Sequence, residues 1–248
     1  MGWLRLLSCI VLTSAVVFLW VGIAVASVNV PLHHWSYDAI ERLTALGIID
    51  QAMVVAKPYS RAQAAKYVAR AIERIRADEI GSDGREVLAE PLLARLMSEF
   101  RPELMDLGTI ARKSTERSST VRYGGRVQTE VDAFSIGGGQ AVRFRENRGG
   151  EYYADGIQNH TNVRGWLEVG DWAALMVQPK FISNLNVLSH GPTVGSQVSL
   201  NDQYAYLREA SLKLTFWNVA LEVGRGTQWW GPGYHGSVLL TDHAFPMD

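Results

Sequence analysis

From Thr120 the chain settles into a period of two. Arg122, Gly124, Arg126, Gln128, Glu130 and Asp132 take the even positions, while Val121, Tyr123, Gly125, Val127, Thr129 and Val131 take the odd ones. Successive side chains of a strand point to opposite faces, so this stretch predicts a long strand with one ionised face and one apolar or neutral face. The pattern recurs. Asn162, Arg164, Trp166 and Glu168 alternate with Val163, Gly165, Leu167 and Val169. Leu207, Glu209, Ser211, Lys213 and Thr215 alternate with Ala210, Leu212, Leu214 and Phe216, and Val219, Leu221 and Val223 with Ala220, Glu222 and Gly224. Two architectures satisfy such strands. In a sandwich the ionised face meets water and the apolar face a second sheet. In an outer-membrane barrel the ionised face lines the lumen and the apolar face meets lipid.

The connections and the start of the chain favour the barrel. Gly170-Asp171 reads as a tight hairpin turn, whereas Gly137-Gly138-Gly139, Arg148 to Gly150 and Asn184 to Gln203 mark long polar connections. Short turns at one end and long loops at the other are the asymmetry of an outer-membrane barrel. Tyr152, Tyr153, Trp166, Trp172, Tyr204, Tyr206, Phe216 and Trp217 fall near strand ends, where aromatic girdles sit. Arg5 precedes an apolar run, Leu6 to Ala26, that closes on Ala24-Val25-Ala26 before Ser27. That end is a cleavage pattern, so residues 1–26 read as a signal peptide, with a retained membrane anchor as the alternative. Cys9, the one cysteine, lies in this run, so removing it would leave no thiol for disulfides, metal or catalysis. A net charge of −1 gives no case for nucleic acid as a partner.

Between the apolar run and the strands lies a helical region. Ser36 is a candidate N-cap for a helix carrying Ala39, Ile40, Leu43 and Leu46, ended by Gly47 at C′. Ser60 and Gln63 form a candidate capping box for a second helix with Ala64, Tyr67, Val68, Ala71, Ile72 and Ile75 on its apolar face. A third is expected from Val87 to Leu104, striped by Leu88, Leu92, Leu96, Phe100 and Leu104, with Pro91 near its first turn. From Pro31 to Ile75 the order His34-Trp35, helix, Leu46-Gly47-Ile48-Ile49, Pro58-Tyr59-Ser60-Arg61, helix resembles an S-layer homology module. The resemblance implies contact with a cell-wall polymer such as peptidoglycan through His34, Trp35 and Arg61. It departs from the usual pattern at Asp50-Gln51-Ala52, and a ligand-free helical plug remains the other reading.

The most distinctive local stretch is Gly224 to Pro246, GRGTQWWGPGYHGSVLLTDHAFP. Two adjacent tryptophans before Gly231-Pro232-Gly233 exclude an ordinary helix. Flat aromatic faces beside polar groups suit sugar rings, and they equally suit a membrane-interface belt. Trp229-Trp230-Gly231-Pro232-Gly233, then Gly236-Ser237, then Asp242-His243-Ala244-Phe245-Pro246, resemble the signature of the capsule assembly Wzi family. That family consists of outer-membrane β-barrels that help hold capsular polysaccharide on the cell surface. The resemblance implies glycan contact, with Trp229, Trp230, Tyr234 and His235 as the candidates and Arg122 and Arg126 as secondary ones; apart from the resemblance, the lumen-facing Arg122, Arg126 and Arg164 could meet an acidic polysaccharide, since arginine forks bind carboxylates. The alternative for the arginines is an internal salt-bridge lattice with Glu130, Asp132 and Glu168.

The expected architecture is α+β. It comprises a signal peptide at 1–26, a periplasmic helical module at 27–110 and an antiparallel transmembrane β-barrel from 111 to 248. Strands of ~10 residues give roughly 6–8 strands there, fewer than the family resemblance implies. The chain also closes on Pro246-Met247-Asp248 without a terminal aromatic, so the barrel reads as partial. No nucleophile elbow, P-loop or HExxH pattern occurs. Glu130 and Asp132, ~7 Å apart on one strand face, could mimic a glycosidase pair, but Arg126 offers simpler neutralisation. The expected protein is a non-enzymatic, lectin-like outer-membrane barrel that attaches or assembles capsular or other surface polysaccharide at the cell surface, needing no metal or cofactor and contacting outer-membrane lipid. The alternative is a general porin tethered to the cell wall.

Overall fold

The computed structural model describes residues 25–77, 85–112, 119–134, 142–144, 152–154, 156–184, 193–194, 198–199, 203–217, 219–231 and 246–248. In the helical region α1 runs Ser36–Ala45 and buries Tyr37, Ala39, Ile40 and Leu43. Gly47, at φ 72°, sits at C′ as expected. The N-cap is Trp35 rather than Ser36, and it contributes no side-chain bond. The Ser36 hydroxyl is instead taken by Nδ1 of His34 at 2.8 Å. α2 runs Arg61–Arg76. Ser60 caps it by accepting the Gln63 amide at 3.1 Å, but the return half of the capping box is missing, because the Gln63 side chain donates to the Tyr67 hydroxyl.

The expected third helix is two. α3, Arg85–Glu99, breaks at Phe100 before α4, Arg101–Asp106. Pro102 in the first turn of α4 cannot donate an amide to the preceding turn, which explains the break. Pro91 lies inside α3 rather than in its first turn. Leu96, Phe100 and Leu104 join the core with Ile40, Leu43, Tyr59, Val68 and Ile72, whereas Leu88 is exposed.

The second half is built from long antiparallel strands. In chain order the described strands, with a short first one in the helical region and several short ones among the long, are β1 Ala56–Lys57, β2 Val121–Phe134, β3 Val142–Phe144, β4 Tyr152–Ala154, β5 Gly156–Val169, β6 Ala173–Asn184, β7 Thr193–Val194, β8 Val198–Ser199, β9 Gln203–Phe216, β10 Val219–Arg225 and β11 Trp229–Trp230. The main sheet is five-stranded, ordered β10-β9-β6-β5-β2, and among the described residues it is open, with β2 and β10 at its edges. β3 pairs with β4 and β7 with β8 inside the long connections, while the ends Val169 and Ala173 of one hairpin and Phe216 and Val219 of the other share one end of the sheet. The chain is thus α+β.

The two faces of this sheet are inverted relative to a water-soluble fold. Val121, Tyr123, Val127 and Val131 on β2, Leu167 on β5, Leu175 and Val177 on β6, and Val219, Leu221 and Val223 on β10 are exposed, Val127 by 67%. On the other face Gln158, His160, Glu168 and Lys180 are buried, Glu168 to 1% exposure. Burying ionised groups while leaving an apolar face bare is unfavourable for a sheet in water and is the arrangement of a barrel wall in lipid.

One expected facing and one expected girdle position change. Leu207 was placed with Glu209, but the register slips between Gln178 and Pro179, so that Gln178 faces Glu209 and Pro179 faces Leu207. Pro179 has no amide for the ladder, and the bulge returns Leu207 to the apolar face. Trp166, expected in an aromatic girdle, pairs across from Gly124 on the ionised face. A Cβ at Gly124 would lie 2.7 Å from the Trp166 ring, so the glycine makes room for the indole. Trp172, Phe216 and Trp217 remain exposed at the short-turn end.

The helical region sits on the ionised face. Its lead-in, residues 25–31, crosses that face, with Ala26 and Val28 packed on Ala174, Met176 and Trp166.

Candidate functional site

Polar groups of the sheet hold the lead-in. Glu168 accepts the Ser27 hydroxyl at 2.9 Å and the Val28 amide at 2.8 Å through one oxygen, while its other oxygen faces Arg122 at 3.0 Å. Lys213 donates to the Ser27 carbonyl and to the Asn29 side chain, and Asn29 donates to Glu222 at 2.7 Å. Arg164 donates to the Asn29 carbonyl. Arg122 also reaches Asp106 of α4 at 2.7 Å, tying the helices to β2. Buried charges require partners, and these side chains supply them to one another.

The tryptophans close the same interface from the far edge. β11 pairs antiparallel with β1, placing Trp230 opposite Ala56 and Trp229 opposite Lys57. The Gly231 amide, at φ 138°, donates to the Val55 carbonyl at 2.7 Å. A short strand at Trp229-Trp230 therefore stitches this stretch to the helical region. Gly224 lets β10 approach β9 closely: at φ 152°, a Cβ there would stand 2.1 Å from the Ala210 carbonyl oxygen.

Cavities open beside these contacts, and the tryptophans line two of them. One of about 720 Å³ lies between the helical region and the ionised face; its wall includes Asn29, Lys57, Tyr59, Gln63, Arg164, Glu209, Lys213, Glu222 and Trp230. A smaller one, about 240 Å³, is lined by Leu32, His33, His34, Tyr37, Asp38, Lys57 and Trp229. Aromatic faces beside hydrogen-bonding and charged groups suit the C–H faces and hydroxyls of a sugar.

The sequence candidates are distributed unevenly over this arrangement. Trp229 and His34, assigned on sequence to different ligands, line the same small cavity. Trp230 lines the large one and is half exposed. Tyr234 and His235 lie outside the described residues, as do most of residues 1–26. Arg122 is committed to Glu168 and Asp106, the lattice arrangement, whereas Arg126 is exposed on the ionised face. Arg61 directs its guanidinium to Glu103 at 2.7 Å and Glu99 at 2.8 Å and stacks over Phe100, so its donors serve the helical core. Trp35 carries the Arg95 guanidinium 3.9 Å above its ring. Glu130 and Asp132 stand opposite His160 and Gln158. Asn29, Lys213 and Glu222 were not singled out on sequence. Lys213 and Glu222 did share the ionised phase of their strands, which was the available signal, whereas Asn29 carried none.

Electrostatics distinguish two groups near the tryptophans. Burial lowers the His34 pKa below its ordinary value; Glu99 works against this, while Arg61, Arg126 and Arg164 add to it. Burial opposes the charged form of Glu99, but Arg61 outweighs it and holds that carboxyl below its ordinary value. Among the described residues no grouping of His, Cys, Asp and Glu has metal-site geometry. No helix among them is long and apolar enough to cross a membrane, which does not bear on strands.

Comparison with known proteins gives a consistent picture for the strand-rich half. The family model described as capsule assembly protein Wzi matches residues 125–248. An uncharacterised 55.8 kDa protein in the cps region of Klebsiella pneumoniae is 40% identical over 164 residues, covering 64% of this chain and 27% of that protein. The chain thus spans about a quarter of the length of this relative. Neither match names an S-layer homology module. No solved structure matches.

Proposed function

The chain belongs to the capsule assembly protein Wzi family, and we propose that it attaches or assembles surface polysaccharide as a non-catalytic, lectin-like part of an outer-membrane barrel. The observation that carries this reading is the inverted sheet. An exposed apolar face suits lipid, and the buried ionised face, with the helices on it, suits a lumen. In this reading the described strands are one arc of a closed barrel, and the helical region enters from the periplasmic end, the end of the short turns. Trp229 and Trp230 contact the glycan from the two cavities, and Tyr234 and His235 remain candidate contacts from the sequence. His34, beside Trp229, belongs to the same contact rather than to a separate cell-wall site.

A plain diffusion pore is the competing reading, and the helices packed on the ionised face count against it. The test is binding of folded, detergent-solubilised full-length protein to the host's own capsular polysaccharide, with Trp229→Ala/Trp230→Ala alongside. Saturable binding lost in the double variant, with heat-modifiable barrel mobility retained, is the expected result. A folded wild type that binds no polysaccharide and conducts steadily in planar bilayers would overturn it.

A further inference from the structure

We propose that Arg126 and Arg164 together receive the carboxylates of an acidic sugar chain, a refinement that rests on the polysaccharide reading above. The two residues are direct cross-strand partners on β2 and β5, both on the ionised face. Like charges placed directly opposite each other destabilise a strand pair. Elsewhere on this face cations are matched: Arg122 with Glu168 and Asp106, Lys213 with Glu222. Among the described residues, no carboxylate lies within salt-bridge distance of Arg126 or Arg164.

Arg164 is especially incomplete. Its Nη2 donates to the Asn29 carbonyl, but Nη1 is buried with no hydrogen-bond partner among the described residues. An unsatisfied buried cationic donor is costly, and an incoming anion would relieve that cost together with the cross-strand repulsion. Glu209 offsets part of the Arg164 charge, yet its carboxylate is already engaged by the Thr227 hydroxyl at 2.8 Å. Arg164 also lines the cavity of about 720 Å³, whose cations Lys213, Arg225 and Lys57 are paired with Glu222, Asp248 and Glu41. Trp230 on the same wall offers a ring face to the sugar carrying the carboxylate. A guanidinium fork binds a carboxylate bidentately, which neutral hydroxyls cannot reproduce.

The test uses full-length protein in detergent and three probes: an oligogalacturonate, a neutral maltooligosaccharide of equal length, and inorganic phosphate. The oligouronate should bind at least about tenfold tighter than the neutral chain, and Arg126→Gln or Arg164→Gln should each remove a substantial part of that preference. Arg164→Lys, which keeps charge and loses the fork, should fall between. Arg126→Gln, which leaves the Arg164 bond to the Asn29 carbonyl in place, should melt no lower than wild type without ligand, because it removes a repulsion. Equal affinity for charged and neutral chains, with both still lost in Trp229→Ala/Trp230→Ala, would refute the arginine receptor and leave the polysaccharide reading standing. Phosphate competing as well as the oligouronate at equal charge would move the site from sugar carboxylates to phosphate groups and refute it too. Binding of neither chain by folded protein that still binds the host's own capsular polysaccharide would refute the arginine receptor and leave the polysaccharide reading standing.

Discussion

Replacing Glu168 by glutamine should loosen the lead-in from the sheet. The carboxylate is 1% exposed and serves both sides at once, Ser27 and Val28 through one oxygen, Arg122 through the other. Glutamine keeps the shape but has one acceptor and one donor. With its oxygen toward Ser27 and Val28, its amide meets the Arg122 guanidinium donor to donor. With the amide reversed, the Val28 amide loses its acceptor inside the interface. Either arrangement forfeits one charge-assisted hydrogen bond, about 1.5–3 kcal/mol. Arg122 keeps Asp106 at 2.7 Å and is partly exposed, which places the loss near about 2 kcal/mol. Equilibrium urea unfolding in lipid vesicles reads it, and proteolysis within residues 25–31 should accelerate in parallel. Arg122→Gln should cost less when Glu168→Gln is already present, with a coupling of about 1 kcal/mol or more. A Glu168→Gln variant within about 0.5 kcal/mol of wild type, or strictly additive single changes, would show that the carboxylate does not hold the lead-in.

Gly224→Ala should cost about 3 kcal/mol or more, since its Cβ would stand 2.1 Å from backbone of β9; a variant with unchanged melting would contradict the close approach. Val127→Arg should cost about 2–4 kcal/mol in a bilayer and Gln128→Arg far less, and equal costs in vesicle unfolding would refute the facing of β2. A histidine with lowered pKa binds fewer protons folded than unfolded, so the stability linked to His34 is present above about pH 6.5 and declines as pH falls below it. Glu99, held below its ordinary value, contributes stability above its unfolded pKa that is lost only in more acid solution. Thermal midpoints should therefore fall from about pH 7 to about pH 5. His34→Gln should flatten that part of the profile and leave the acid limb, and an unchanged slope in the variant would contradict the assignment.

The long strands were legible because the side-chain period is fixed by backbone geometry: Arg122 to Asp132 and Glu222 showed their faces directly. Leu207 was misplaced because a bulge at Pro179 is a property of the strand pair and cannot be seen in β9 alone. Trp166 looked like a girdle residue by position, but the space that admits it comes from Gly124 on another strand. Helix ends were partly legible. Gly47 closed α1 as its chemistry requires, whereas Ser36 lost the cap to a contact with His34. Of the candidate site, the WWGPG stretch was visible as unusual, but its pairing with Ala56-Lys57 depends on a contact between distant segments with no local signature. The same holds for Asn29, whose neighbours Lys213 and Glu222 come from strands almost 200 residues away along the chain.

Which face of the sheet meets lipid decides whether these strands form a barrel wall. Nitroxide labels at single cysteines, introduced one at a time at 122, 123, 127, 128, 221 and 222 with Cys9 replaced, read this in a bilayer. Collisions with oxygen dissolved in the lipid should be frequent at Tyr123, Val127 and Leu221 and infrequent at Arg122, Gln128 and Glu222. A profile with no period of two, or with its phase reversed, would contradict the barrel wall and the function built on it.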